Sequence, residues 1–444
     1  MSVLDAVGNT PLIRLTRVTA GITAAVHLKA EFLNPGGSVK DRAALAMVRA
    51  AEAAGDLRRG AVIVEGTSGN TGIGLAMIAA QRGYRAVVVV PDKSSGEKLA
   101  ALRAYGAEVV VTTGGVPRDD PRHVSQIAER LAAETPGGWL AGQYDNPANA
   151  GAHYATTGPE IWQQTDGLVT HFVAGIGTGG TISGAGAFLR ETGPVTIVGA
   201  DPENSVYGGG DGSPYYVESI GHYVHPHTAQ DVWPQSYDPQ AVDRIERVGD
   251  RESIEKTRRL AREEGILVGA STGTAVVAAL RVARELGPDG LVVVLAPDSG
   301  RAYLSKYFDD GWVRRAGFPA PPVPGPLVGD GPVRPPVLAP IAGRAGDLPA
   351  GADVALLLLP RPQVADAAPS PGDVAGSVPL DVVARATPGT PLAALAEAAL
   401  PTVGVHEPAA DALARTPADV TWLAVLTEGR ITGVIARTAL AAFA

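Results

Sequence analysis

A chain of 444 residues, 45% hydrophobic and 19% charged, has a globular composition and is long enough for a sizeable buried core. Its formal net charge of −9, with no basic block to offset it, excludes a general nucleic-acid binder, and the absence of cysteine excludes disulfides, thiolate metal sites and cysteine nucleophiles. The first residues lack the charged and apolar regions of a signal peptide, and no run of roughly 18 apolar residues occurs, so a soluble, cytoplasmic protein with no membrane partner is expected.

In chain order, the first informative stretch is Asn34-Pro35-Gly36-Gly37-Ser38-Val39-Lys40-Asp41-Arg42, which sets one lysine between a glycine-rich turn and an amphipathic run over 42–54. At the positive end of a helix dipole an amine is disfavoured as its cation, which makes Lys40 a candidate carbonyl-trapping nucleophile. Taken alone, it fits a solvated lysine in a first helical turn better. Segments 61–65, 85–90, 108–112, 170–174, 195–200 and 291–296 are Val/Ile-rich and almost continuously apolar, as strands covered on both faces of a parallel sheet require. Between them, 72–82, 96–105, 124–134, 179–192, 251–264 and 272–286 carry the helical period. The fold class is therefore α/β with open sheets, and ligands are expected beyond the carboxyl ends of the strands. After Trp312 the composition changes, and 317–340, with proline at almost every second or third position, reads as a linker. Beyond it, Gly372-Asp373-Val374-Ala375-Gly376 and the residues that follow resemble the stretch from Gly429-Arg430-Ile431-Thr432-Gly433 onward. Segments 422–427 and 431–435 flank a turn at Glu428-Gly429-Arg430, so two copies of a strand–strand–helix unit are expected.

Four turns rich in glycine and hydroxyls punctuate the α/β region. Glu65-Gly66-Thr67-Ser68-Gly69-Asn70-Thr71-Gly72 follows a strand and opens a helix, so its amides and hydroxyls form a nest suited to a carboxylate. Gly175-Ile176-Gly177-Thr178-Gly179-Gly180-Thr181 is placed alike and suits a phosphate. Gly269-Ala270-Ser271-Thr272-Gly273 starts another helix, and Ala296-Pro297-Asp298-Ser299-Gly300 ends the last strand. Any one of these could be a plain tight connection; four in series are harder to read that way. The second also satisfies G-x-G-x-x-G at Gly175, Gly177 and Gly180, with Asp201 ending the next strand as a dinucleotide fold requires. An NAD-dependent dehydrogenase, however, leaves Lys40, the 67–71 nest and Ser271 without a task.

Residues 34–42, 65–74, 173–184 and 267–273 resemble, in the same order, the fold-type II pyridoxal-phosphate enzymes that make cysteine and cystathionine, and the resemblance runs from about residue 7 to 312. Gln143-Tyr144, 117–123 and Asp298-Ser299-Gly300-Arg301-Ala302-Tyr303-Leu304-Ser305-Lys306 are similar to cystathionine β-synthase rather than to O-acetylserine sulfhydrylase, in which phenylalanine typically follows the glutamine. The resemblance implies a tryptophan synthase β-like catalytic domain over 1–316, whose smaller subdomain, about 41–151, closes over the site. A linker over 317–340 and a degenerate pair of regulatory modules over 341–444 would follow. It implies that Lys40 holds pyridoxal 5′-phosphate through its amine and serves as the base for the Cα proton. Asn70 would bond the ring 3′ oxygen, and Gly177, Thr178, Gly179, Gly180 and Thr181 would take the phosphate. Ser271 would face the pyridine nitrogen, where a neutral hydroxyl, unlike a carboxylate, does not keep that nitrogen protonated; this favours β-elimination over transamination. Thr67, Ser68, Gly69, Thr71 and Gln143, with Tyr144 next to them, would clamp the substrate carboxylate. The implied reaction is β-replacement on L-serine with homocysteine, giving cystathionine. The alternative is cysteine synthase chemistry, with O-acetylserine or O-phosphoserine as donor and sulfide or another nucleophile. A homodimer or higher homo-oligomer is the family's habit.

Two departures qualify the resemblance. The family's Glu-Gly-Ile-Gly loop reads Glu218-Ser219-Ile220-Gly221 here, and the segment after it carries His222, His225 and His227, which read as an exposed loop rather than a metal site. In the tail, the Thr/Ser-x-x-Asp that commonly holds an adenosyl nucleotide is replaced by Pro379 and Val382 in one copy and by Ala436 and Ala439 in the other. Binding of S-adenosylmethionine is therefore expected to be weak or absent.

Overall fold

The computed structural model describes residues 1–349, 353–360 and 368–444. The chain forms two compact units, one of residues 1–210 with 217–307 and one of residues 211–216 with 308–444.

The first unit is built on two sheets. The larger has six strands in the order Leu12–Arg14, Ala25–Ala30, Leu291–Ala296, His171–Gly175, Thr196–Pro202 and Arg244–Val248, antiparallel only in the first pair. The smaller has four parallel strands in the order Glu108–Thr112, Arg85–Pro91, Val62–Gly66 and Gly138–Leu140. Helices cover both faces, and the side chains show why the strands are unbroken apolar runs. Val292, Val294 and Ala296 enter one core, while Val293 and Leu295 enter another. In the smaller sheet Ile63, Val88 and Val90 face one core and Val62, Val64, Val87 and Val89 the opposite one. A two-residue period buried on both sides leaves few polar positions, Lys29, Glu65 and Asp201 being buried exceptions, and each fully buried valine or leucine contributes about 1.5–3 kcal/mol.

The predicted strands and helices form within one or two residues of the expected bounds, with one change. The expected helix over 251–264 is an α-helix, Asp250–Arg259, followed by a π-helical turn, Leu260–Glu264, that ends where Gly265 adopts φ 71. The structure adds strands at Leu12–Arg14, Ala25–Ala30, Gly138–Leu140 and Arg244–Val248, and a helical run made of Pro147–Ala152, a π-helical turn His153–Thr157, and Gly158–Gln164.

The second unit contains two three-stranded sheets of identical topology. Val337–Pro340 runs parallel to Val354–Leu358, which pairs antiparallel with Val374–Pro379; Thr402–Gly404 runs parallel to Trp422–Thr427, which pairs antiparallel with Arg430–Ala436. A short helix follows each third strand, Leu380–Arg385 and Arg437–Phe443. Val354 and Leu356 of one sheet share a core with Ala424, Leu426, Ile431 and Val434 of the other. Each copy thus has one strand more than the sequence repeat indicated. The stretch read as a linker, 317–340, is not a free tether. Val337–Pro340 is an edge strand, where proline is tolerated, and Val328 is fully buried among Val403, Leu423 and Val425. Among the described residues, no helix is long and apolar enough to cross a membrane.

Candidate active site

Lys40 is the first residue of the helix Lys40–Ala54. The turn before it is pinned. Gly37 takes φ 85, Gly36 N–H donates to the Asp41 carboxylate at 2.6 Å, and Val39 N–H donates to the Pro297 carbonyl at 2.7 Å. Ser299 N–H closes the arrangement by donating to the Gly37 carbonyl at 3.1 Å, so the lysine stands against the carboxyl end of Leu291–Ala296. Two residues on, the buried Arg42 lies 2.8 Å from Glu31 and 2.5 Å from Glu160, and Lys29 lies 2.7 Å from Glu160. Burial pushes the Lys40 ammonium down to about 8, while the Asp298 carboxylate pulls the other way. The amine is depressed as its position led us to expect, but loss of water, rather than the helix dipole, is the main cause.

One cavity is lined by Lys40, Asn70, Gly177, Thr178, Gly179, Thr181 and Ser219. Asn70 opens the helix Asn70–Arg82 and donates through Nδ2 to Asp298 Oδ2 at 2.7 Å, with Ser219 Oγ 3.5 Å away. Asp298 Oδ2 also accepts from the Tyr303 hydroxyl at 2.5 Å, while Oδ1 is buried without a partner. The turn through Gly177 and Thr178 joins the strand His171–Gly175 to the helix Gly180–Thr192. Its glycines answer to space: a Cβ on Gly177 would lie 2.7 Å from the Ser219 carbonyl oxygen, and one on Gly179 (φ 83) 2.2 Å from Tyr237 Cβ. Thr178 Oγ1 accepts from Asn149 Nδ2 at 3.1 Å, and Thr181 Oγ1 lies 3.2 Å from His153 Nε2. The first amides of a helix, which have no carbonyl partner within it, together with two hydroxyls make an anion cradle.

In the 67–71 turn, Gly69 (φ 133) donates its N–H to Thr67 Oγ1 at 3.2 Å, and the Thr71 hydroxyl donates to Gln143 Oε1 at 2.5 Å. Ser68 is half-buried and Tyr144 exposed. Ser271, in the first turn of Ala270–Arg284, is 1% exposed and its Oγ has no hydrogen-bond partner. Its turn is tied to the same strand end as Lys40, because Gly269 N–H donates to the Asp298 carbonyl at 3.2 Å. The cavity therefore brings together Lys40, Asn70 and most of the 177–181 turn, whereas Gly180, Ser271, Thr67, Ser68, Gly69, Thr71, Gln143 and Tyr144 do not line it.

In the sequence Asp298 has a place in a turn and in a motif shared with a family, but no role of its own. It is the group that links Asn70, Tyr303 and the field at Lys40. The available signal was a carboxylate directly beyond a wholly apolar strand. Ser219 reaches the cavity at φ 75, a rare conformation for a residue with a Cβ. The dinucleotide reading is corrected at Asp201: it is fully buried and accepts from Gly208 N–H at 2.8 Å, so it is committed to its own loop. His222 bonds Asp231 at 2.6 Å, and among the described residues no three His, Cys, Asp or Glu are grouped to hold a metal.

The chain matches the model of a family described as pyridoxal-phosphate dependent enzyme over residues 3–298. It is 41% identical over 322 residues to cystathionine beta-synthase of Apis mellifera, a match covering 72% of this chain and 63% of that protein. It is 42% identical over 325 residues to cystathionine beta-synthase of Rattus norvegicus, covering 71% of this chain and 56% of that one. The chain thus spans between 56% and 63% of the length of these two curated relatives. Among solved structures it is similar to O-ureido-L-serine synthase, with a TM-score of 0.64 and 39% identity over 70% of this chain and 95% of that one.

Proposed function

The chain belongs to the pyridoxal-phosphate dependent enzymes, and from that premise we propose that it carries out β-replacement on L-serine, condensing it with homocysteine to form cystathionine. The observation that carries this reading is a lysine with a depressed amine in one cavity with the anion cradle of the 177–181 turn. The residues present suit the cofactor: a cradle whose glycines leave no room for a Cβ, and a buried Ser271 hydroxyl with nothing to bond.

When bound, pyridoxal phosphate supplies an electron sink for negative charge at the substrate Cα. Lys40 would hold it through Nζ and later take the Cα proton at that same atom, which the depression to about 8 leaves partly neutral near physiological pH. Asn70 directs one Nδ2 hydrogen to Asp298 at 2.7 Å and the other to Ser219 Oγ at 3.5 Å, and a ring oxygen would take over that second, long bond. Ser271 would meet the ring nitrogen as a neutral hydroxyl. The first amides of the helix Asn70–Arg82 would receive the substrate carboxylate beside the Thr71–Gln143 pair and fix the Cα–H direction. Closure of the subdomain over about 41–151 would keep water from the site.

A second reading has its own support. The similarity to O-ureido-L-serine synthase covers 95% of that chain, and Ser219 replaces a family glycine at the cavity. Cysteine synthase chemistry, with O-acetylserine or O-phosphoserine and sulfide or another nucleophile, is therefore the alternative. The deciding experiment offers the purified protein serine with homocysteine and, separately, O-acetylserine with sulfide, and identifies products by mass spectrometry. Faster formation of cystathionine supports the first reading; faster formation of cysteine replaces it with the second. Lys40→Ala should slow either reaction by roughly 10²–10⁴-fold, and a variant turning over at the wild-type rate would remove both readings.

A further inference from the structure

Behind the phosphate turn lies a titratable side chain with no part in the chemistry proposed above. His153 opens the π-helical turn His153–Thr157, and both residues are fully buried. Its Nδ1 lies 2.8 Å from Thr157 Oγ1 and its Nε2 3.2 Å from Thr181 Oγ1. π-Helical turns are rare and recur at functional sites, and here the extra residue per turn coincides with an imidazole held between two threonine hydroxyls. The facing helix comes close enough for this because residue 184 is glycine: a Cβ there would lie 2.0 Å from the Ala150 carbonyl oxygen and 3.0 Å from His153 Cβ.

We infer that His153 is a positioning residue for the phosphate turn, donating from Nε2–H to Thr181 Oγ1 so that the threonine's own proton points into the cradle. The inference rests on the reading of residues 177–181 as the phosphate site. A neutral imidazole has one donor and one acceptor, so two arrangements are open. In one, Thr157 donates to Nδ1 and Nε2–H donates to Thr181, leaving the Thr181 proton for an anion. In the other, Nδ1–H donates to Thr157 and Thr181 gives its proton to Nε2, so only lone pairs face the anion, which repels them. Bound phosphate selects the first. The neighbouring hydroxyl follows the same logic, since Asn149 Nδ2 donates to Thr178 Oγ1 at 3.1 Å and thereby leaves that proton free as well. Burial, with Arg42 and Lys40 nearby, holds the His153 pKa well below the usual histidine value, so the ring acts by direction and not by charge.

The test is nitrogen-15 NMR of the histidine-labelled, pyridoxal-phosphate-loaded protein, with His153 assigned from the signals missing in His153→Gln. The inference requires a ring protonated at Nε2 and bare at Nδ1 throughout the neutral pH range; protonation at Nδ1 overturns it. Equilibrium dialysis of pyridoxal phosphate provides a second measurement. His153→Phe should weaken retention about tenfold, as one lost hydrogen bond would, and His153→Gln, whose amide N–H is able to reach the same oxygen, should recover most of it. Equal loss in both variants, or in neither, counts against positioning by a donor. Thr181→Ala separates the two levels of the argument. If it leaves retention unchanged, the phosphate assignment itself falls; if it weakens retention while His153→Phe does not, only the role of His153 falls.

Discussion

Lys40 and Asp298 set the charge that the cavity presents. Because the folded pKa of Lys40, about 8, lies below the unfolded value near 10.4, the unfolded chain binds more protons between those two pH values. The stability of the cofactor-free protein should therefore rise as pH increases through that window, and Lys40→Met should abolish the rise in thermal melts. Capture of pyridoxal phosphate by the cofactor-free protein needs the neutral amine, so the rate of borohydride-trappable labelling should climb to a plateau above about pH 8. Asp298 favours the cation, and Asp298→Asn should move that midpoint to lower pH; an unmoved midpoint would show that Asp298 is not felt at Lys40. Ser219 poses a different balance. Its left-handed backbone costs about 1–2 kcal/mol, against a 3.2 Å hydrogen bond to Tyr303 worth about 0.5–1.5 kcal/mol. Ser219→Gly should thus change the melting temperature little while altering the ratio of rates with homocysteine and with sulfide, if the hydroxyl matters to the incoming nucleophile. An unchanged ratio would make the serine a tolerated accident.

At the scale of elements, the helix that carries Lys40 has strong helix formers along its length and is anchored at its first turn by a buried ion network. Arg42 lies within 2.8 Å of Glu31 and 2.5 Å of Glu160, which comes from the helix Gly158–Gln164. Burial alone would raise the Glu160 carboxyl, yet Arg42 and Lys29 hold it down at about 2. Its contribution to stability is complete above the ordinary carboxylate range, declines as pH falls below it and is gone below about 2, while the folded carboxylate itself stays charged in mild acid. Arg42→Ala leaves the buried Glu31 without its cation and Glu160 with Lys29 alone, and should cost about 3–5 kcal/mol in denaturant unfolding; a loss under 1 kcal/mol would mean that water replaces the guanidinium. The same helical region shows where the sequence was opaque. Pro147, Gly151, Gly158 and Pro159 look like breakers, yet glycine is needed at 158 because a Cβ would lie 2.8 Å from Phe188 Cβ, and proline is harmless in a first helical turn. Strands of three residues, Leu12–Arg14 and Gly138–Leu140, are too short to display a period. The glycine turns, and the places of Lys40 and Ser271 in first helical turns, were legible because each is a local pattern. The contacts Asn70–Asp298 and His153–Thr181 join positions remote in the chain, and no local pattern encodes them.

At the scale of the molecule, the second unit is where resemblance and chemistry part. Its two sheets repeat one topology, and the structure gives the replaced residues equivalent places: Pro379 and Ala436 each end a third strand and precede a helix, with Val382 and Ala439 inside those helices. In the modules that this tail resembles, a hydroxyl and a carboxylate at those places hold an adenosyl nucleotide. Here proline, valine and alanine offer neither an acceptor for ribose hydroxyls nor a charge. A cleft elsewhere in the unit is lined by Arg314, Arg315 and Arg415, but Arg415 is bonded to Glu407 at 2.7 Å and Asp411 adds a second carboxylate. A purine and its sugar need apolar walls with a few convergent acceptors, and a cleft of paired charges does not provide them. Calorimetric titration of the loaded enzyme with S-adenosylmethionine should accordingly give no saturable heat, and the nucleotide should leave turnover unchanged. Sedimentation should show a homo-oligomer whose mass is the same with and without it. Tight, saturable binding would show that the unit recognises the nucleotide through residues other than the two pairs that the resemblance singles out, and would turn attention to the arginine-lined cleft.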